Sequence, residues 1–298
     1  MTATSAPRPA ARRAGTPVRR RKRLPSPTSS GPAATILAWL YALVLAIPLY
    51  YLLVSSLKDN IGIFTNPFGL PTEPIWENFA QAWNRAQLGT ALLNSVLISV
   101  VAVALTLVLA IPAAYALARS ESRFARAITG VYSASFLIPP FAALIPTVIL
   151  AIQLDLFYTR EFQMLFLPAS ALPLSILLLT QFMKTVPPEL VEAASIDGAG
   201  QWSILRRIFI PLSMPGIVSV TILQVLTFWN EYLFSLTITG TSPEIRTVQV
   251  ALPSLISDST RFGVLAAGTV ITLVPVYLAY AILQKRMQEA LTAGALKG

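Results

Sequence analysis

The chain has 298 residues, 55% of them hydrophobic and only 12% charged, and its 22 Lys and Arg outnumber 13 Asp and Glu to give a formal charge of +9. About a quarter of an ordinary soluble domain is charged, so the composition excludes one. With no Cys and no His there is no disulfide, thiol nucleophile, Cys-based metal site or imidazole acid–base pair, and the surplus of bases leaves a nucleic acid or a membrane to account for it.

Residues 1–32 carry eight basic residues, six prolines and no acid. Such a segment cannot bury a core and reads as a disordered cytoplasmic extension. Its run from Arg19 to Arg23 fits a topogenic anchor near anionic lipid. A transit peptide, a twin-Arg signal or a nucleic-acid patch fits less well, because the apolar stretch that follows is too long for a signal-peptide core and no small-residue cleavage site closes it.

Six apolar stretches follow, each matching the roughly 20 helical residues that a bilayer core requires. They cover 33–57, 91–117, 127–150, 163–183, 213–239 and 263–283, and the sole charge inside them is Glu231. The expected fold is therefore all-α and polytopic, with six transmembrane helices. Internal prolines, among them Pro48, Pro112, Pro139, Pro140 and Pro275, predict kinked spans, which a bundle tolerates because neighbouring helices re-satisfy the freed carbonyls. An even number of spans puts both termini on one side. That side carries 17 basic residues against 5 on the other, so the positive-inside rule makes both termini cytoplasmic. The positive charge is thereby an orientation signal, and no nucleic-acid partner is expected; membrane lipid is.

Between the first two spans, 58–90 forms an external loop. Asn66-Pro67-Phe68-Gly69-Leu70-Pro71 reads as turns, and Ile75, Trp76, Phe79 and Trp83 recur at helical spacing, which predicts a short interfacial helix. The remainder divides into a transmembrane core over 91–283 and a cytoplasmic tail over 284–298. No internal repeat is evident. Asn94, Gln181, Gln224 and Asn230 either line a polar path or bond helix to helix. Glu231, flanked by Trp229, Asn230 and Tyr232 toward the outer end of the fifth span, serves either a solute path or subunit interface, or a structural hydrogen-bond role.

One cytoplasmic connection, 184–212, has a design of its own. Pro187-Pro188 suits a helix start, with Glu189 and Glu192 near the positive end of its dipole. Gly198 suits a left-handed helix end. A second helix from about Gln201 is expected to present Trp202, Leu205, Ile208 and Phe209 on one face, and Pro211 to stop it. Such a helix-turn-helix fits either docking into a groove of another protein or lying flat on lipid. No G-x-x-x-x-G-K-[ST] phosphate loop occurs anywhere, and Gly198-Ala199-Gly200 follows no strand, so the chain is not its own ATPase.

Glu192-Ala193-Ala194, then Asp197-Gly198-Ala199, then Ile208 and Pro211 resemble the EAA loop of binding-protein-dependent ABC importer permeases. The resemblance extends to Ser56-Leu57-Lys58, Glu77-Asn78-Phe79, Trp229-Asn230-Glu231-Tyr232 and the terminal Leu291-Thr292-Ala293-Gly294-Ala295-Leu296-Lys297-Gly298. The last two are similar to the carbohydrate branch, in its six-span, maltose-type form. Leu154-Asp155-Leu156 departs from a turn that is often Leu-Gly-Leu in the family, and the basic extension is longer than the fold needs.

The resemblance implies a type I ABC importer permease fold in a bacterial cell membrane. It implies a transport subunit rather than an enzyme, with ATP and Mg bound by a separate cytoplasmic ATPase homodimer and no cofactor on this chain. The loop would couple to that ATPase through Glu192, Ala193, Ala194, Asp197, Gly198, Ile208 and Pro211, Glu192 offering a charge, the alanines allowing close approach and Gly198 the bend. The tail residues Ala293, Gly294, Lys297 and Gly298 would lie along the ATPase. A second permease and an extracytoplasmic solute-binding protein complete the partners, and a sugar or oligosaccharide is the expected solute. Another solute, such as a polyamine or a glycerol phosphodiester, is the same-fold alternative. An ion-coupled secondary transporter would need more intramembrane acids than one.

Overall fold

The computed structural model describes residues 31–256 and 261–295, and every regular element among them is helical. Two compact units are present, one ending at Ile47 and one beginning at Pro48. The helix α1 (Pro32–Ser55) runs across that division and is exposed throughout its part up to Ile47.

Within the second unit, α2 (Asn60–Thr65) and α3 (Glu77–Arg85) precede the long α4 (Leu88–Arg119). Then come α5 (Arg123–Ala134), α6 (Leu144–Gln153) and α7 (Arg160–Lys184). The connection to the next span holds α8 (Pro188–Ile196), α9 (Gln201–Ile204), a π-helical turn (Leu205–Phe209) and α10 (Ile210–Leu212). The chain ends with α11 (Met214–Trp229), α12 (Leu233–Thr239), α13 (Val248–Ala251) and α14 (Phe262–Ala295).

Four of these helices are long and apolar enough to cross a membrane, and two bent pairs raise the number to six if each pair is one span. Each of the six apolar stretches is largely helical, but the third and fifth are not single rods, and the second bent pair joins Gln201–Leu212 to Met214–Trp229, reaching back into the 184–212 connection. The third bends by 94° between Arg123–Leu137 and Phe141–Gln153. Pro139 stands there with ψ 132°, the extended conformation that a residue preceding a proline prefers. The stretch 213–239 is interrupted at Asn230 to Tyr232, so α11 supplies only 16 residues. At ~1.5 Å per residue that is ~24 Å, short of the ~30 Å hydrocarbon core.

α4 packs along α7, and α11 lies against both of them and α14. At one end of the α4–α7 pair a core forms from Ala114, Tyr115, Ile176, Leu179, Met183, Ile204, Leu205 and Phe209. At the other end α3 packs against α14, with Ala82, Ala86, Leu88, Trp229, Val248, Leu255 and Val264 in a second core. The predicted interfacial helix is therefore present, but it buries its small residues Asn78 and Ala82 and leaves Trp76 and Trp83 exposed.

Two segments singled out in the sequence meet beside α3. The Asn78 amide donates to the carbonyls of Ser56 and Lys58, both at 3.0 Å. Lys58 is buried and its ammonium donates to the Asn66 carbonyl at 2.6 Å. Gly263, in the first turn of α14, completes the elbow: a Cβ there would stand 2.1 Å from the Lys58 carbonyl oxygen, so only glycine allows this approach.

Candidate functional site

The loop after α7 folds as two short helices around a left-handed turn. Pro188 occupies the first position of α8, where its missing N–H costs no hydrogen bond, and Glu189 lies in the first turn. At the other end Gly198 has φ +80°. The Gly198 N–H donates to the Ser195 carbonyl at 3.1 Å and the Ala199 N–H to the Ala194 carbonyl at 2.9 Å. This pair of bonds is a Schellman ending, which satisfies carbonyls the helix leaves open and requires the left-handed residue that Gly198 supplies. No atom lies within 4 Å of a Cβ built on Gly198, so the glycine is required by conformation, not by crowding.

α8 is held by one buried side chain, Val191. Glu192, Ala193, Asp197 and Gly198 face solvent, and Ala194 is half-buried against the core. Ile196 is 87% exposed and Trp202 69% exposed on the two sides of Gly198. An apolar pair so placed around a polar turn suits a protein contact.

The second helix is anchored more firmly. Ile204, Leu205 and Phe209 are buried, and Phe209 meets the Tyr115 ring edge-on with centroids 4.7 Å apart. The Tyr115 hydroxyl also donates to Gln201 Oε1 at 2.5 Å. Trp202 does not share this buried face, and Ile208 is only half-buried. The reason is the π-helical turn, in which the Ile210 N–H reaches back five residues to the Leu205 carbonyl. Its wider circumference shifts the phase of the residues on either side of it. Pro211, expected to stop the helix, lies exposed within α10, and the chain turns by 74° only after Leu212. Since proline disrupts the bonding of the turn before it, a π turn immediately upstream accommodates it.

Of the tail residues singled out, Ala293 and Gly294 lie in the last turns of α14, and Lys297 and Gly298 lie outside the described residues. At the break in the fifth span, Trp229 is buried in the core beside Val248. Glu231 accepts hydrogen bonds from the Phe234 N–H at 2.8 Å, the Ser235 N–H at 2.7 Å and the Ser235 hydroxyl at 2.6 Å. Its carboxylate thus caps α12, near the positive end of that helix. Asn230 is exposed and accepts from the Gln249 amide at 3.3 Å.

Sequence reasoning missed Arg246. It is 5% exposed, donates from Nη2 to the Ala86 carbonyl at 2.9 Å, and burial pulls its guanidinium below the ordinary value. Nearby Glu244, outside the spans, is held below the usual carboxylate range by a backbone N–H and then by the Ser242 hydroxyl. An arginine isolated in a short segment between apolar spans was the available signal.

With this loop and helix arrangement in place, comparison with known proteins is decisive. The family described as "Binding-protein-dependent transport system inner membrane component" matches residues 106–289, a stretch that contains the whole loop and four of the six apolar spans. The chain belongs to that family. Among curated relatives of the family, the diacetylchitobiose uptake system permease protein NgcG of Streptomyces coelicolor is 32% identical over 87% of this chain and 86% of its own length. The melibiose/raffinose/stachyose import permease protein MelC of Bacillus subtilis is 30% identical over 91% of this chain and 98% of its own. Both are permease subunits, and this chain is likewise a multi-pass transport component and not an enzyme. The fold is that of a bacterial ABC transporter involved in the import of alginate: one chain of that crystal structure superposes with a TM-score of 0.73 over 85% of this chain and 94% of its own, at 22% identity.

The structure also shows how the turn at Leu154-Asp155-Leu156 is made. Asp155 has φ +54°, and the Leu156 N–H donates to the Ala151 carbonyl at 2.9 Å, the same helix-ending geometry as at Gly198. Aspartate is among the few residues that tolerate this conformation, so the turn forms here without a glycine.

Proposed function

We propose that this chain is a permease subunit of an ATP-driven sugar importer in a bacterial plasma membrane, with both termini cytoplasmic. It forms the translocation path with a second permease for an oligosaccharide delivered by an extracytoplasmic binding protein. ATP and Mg are bound and turned over on a separate ATPase homodimer, into which the Glu192 to Gly198 turn docks. The observation that carries the reading is the loop itself: an exposed Ile196 and Trp202 around a glycine-ended helix, mounted rigidly on the ends of α4 and α7 by Leu205 and Phe209. Sugar names on the relatives NgcG and MelC support the solute class, and the 17 to 5 division of basic residues supports the orientation.

Reconstitution tests it. Proteoliposomes holding this chain, a second permease and the ATPase, given binding protein and a panel of labelled oligosaccharides, are expected to accumulate sugar only with ATP inside. Uptake driven by an ion gradient through this chain alone would refute the reading.

A further inference from the structure

Asn94, in α4, is 2% exposed and every group of its side chain is engaged. Its Nδ2 donates to the carbonyls of Glu244 at 3.0 Å and Arg246 at 3.1 Å, while its Oδ1 accepts from Arg160 Nη1 at 3.0 Å. The next residue repeats the pattern, Ser95 Oγ accepting from the Val248 N–H at 2.8 Å. Arg246 returns the connection by donating to the Ala86 carbonyl, just before α4 begins. The segment that joins α12 to α13 is in this way fastened to α4 and to the first turn of α7. Most of these bonds are buried, where an unmade partner costs most.

The same two helices hold the cytoplasmic loop at their other end, through Tyr115 of α4 and Met183 of α7. From Asn94 to Tyr115 the helix rises ~32 Å at ~1.5 Å per residue. α4 and α7 pack together along this distance, so a displacement at one end arrives at the other as motion of the pair.

We propose that Asn94 is a positioning residue for transport. By fastening Glu244 to Val248 onto α4 and α7, it makes that end of the bundle follow the two helices that carry the loop, and so converts loop displacement into movement at the opposite face. The inference rests on the ATP-driven reading above. Its signature is efficiency: without the fastening, ATP hydrolysis continues while less solute crosses per ATP.

The test uses the complete reconstituted assembly and measures solute transported per ATP hydrolysed. Asn94→Asp retains an acceptor for Arg160 and offers no donor to the two carbonyls. It is expected to lower the ratio at least fivefold, with ATP hydrolysis within twofold of wild type. Ser95→Ala, which removes a separate bond of the same fastening, is expected to lower the ratio at least twofold, and it decides the matter alone if Asn94→Asp fails to assemble. An unchanged ratio in an assembled variant, or transport and hydrolysis falling in proportion as in a merely destabilised protein, overturns the inference. Absence of ATP-dependent uptake by the wild-type assembly overturns both the inference and the reading beneath it.

Discussion

Replacing Gly198 separates the conformational role of this glycine from its small size. The residue has φ +80° and open space around it, so in the free protein a side chain meets no atoms, and the cost of substitution lies in the backbone. Alanine in the left-handed region costs about 1–2 kcal/mol, a β-branched residue costs more, and asparagine costs less because it visits that region readily. If the docked turn requires the left-handed residue, that cost reduces the population able to dock and weakens apparent affinity by the same factor. At about 1.4 kcal/mol per tenfold, Gly198→Ala weakens ATPase binding roughly five- to thirtyfold, with Gly198→Val worse and Gly198→Asn within about threefold of wild type. Titrating purified ATPase onto the immobilised, detergent-solubilised permease measures the series. If Asn binds as poorly as Val, bulk at the contact governs the turn and the conformational argument fails; if Val binds like wild type, the turn does not dock at all.

Four further substitutions have defined outcomes. Gly263→Ala drives a Cβ to 2.1 Å from a backbone oxygen, and Gly216→Ala drives one to 2.3 Å from Phe182 Cγ and 2.7 Å from Phe182 Cβ, an atom that side-chain rotation does not move. Each should therefore cost about 1–3 kcal/mol, read as denaturation midpoints in detergent, and an unchanged midpoint for either would remove the close-approach account at that glycine. Glu231→Gln retains one acceptor of the α12 cap and loses the charge, with an expected loss of about 1.5–3 kcal/mol; an unchanged midpoint would remove the capping account, and an unchanged transport rate and affinity would remove any role in the solute path. Asp155→Gly relieves a left-handed position and is expected to be neutral or to stabilise by about 1 kcal/mol, a clear loss of stability being the contrary result.

Hydropathy located all six apolar helical regions because membrane insertion depends on local apolar content, which a single chain displays. It did not locate the break at Asn230 to Tyr232, because a cap such as Glu231 interrupts a helix without interrupting an apolar run. The prolines did announce the bend in the third span. At the loop, Gly198 was legible since a left-handed helix end depends on residue type alone, whereas the inward face of the second helix was misjudged by assuming uniform α periodicity across Leu205 to Phe209. Asn94 was recognised as a polar residue in an apolar helix. That it fastens a segment some 150 residues away required the tertiary structure, since neither Glu244 nor Arg246 contributes more than a backbone carbonyl to it.

The π turn between Leu205 and Phe209 gives the loop two attachments of unequal stiffness. Toward α4 and α7 it is held by interlocked side chains, which transmit force with little give. Toward α11 it is held by a helix that contains one surplus residue, followed by a sharp bend after Leu212. A surplus residue is absorbed by a local exchange of hydrogen bonds, so this side yields where the other does not. Any pull on the loop is therefore borne mainly by the α4–α7 pair, while the fifth span follows through a compliant joint. The same exchange of hydrogen bonds can take up a change of one residue between Gln201 and Ser213, which makes these few residues the part of the loop best able to accept an insertion or deletion.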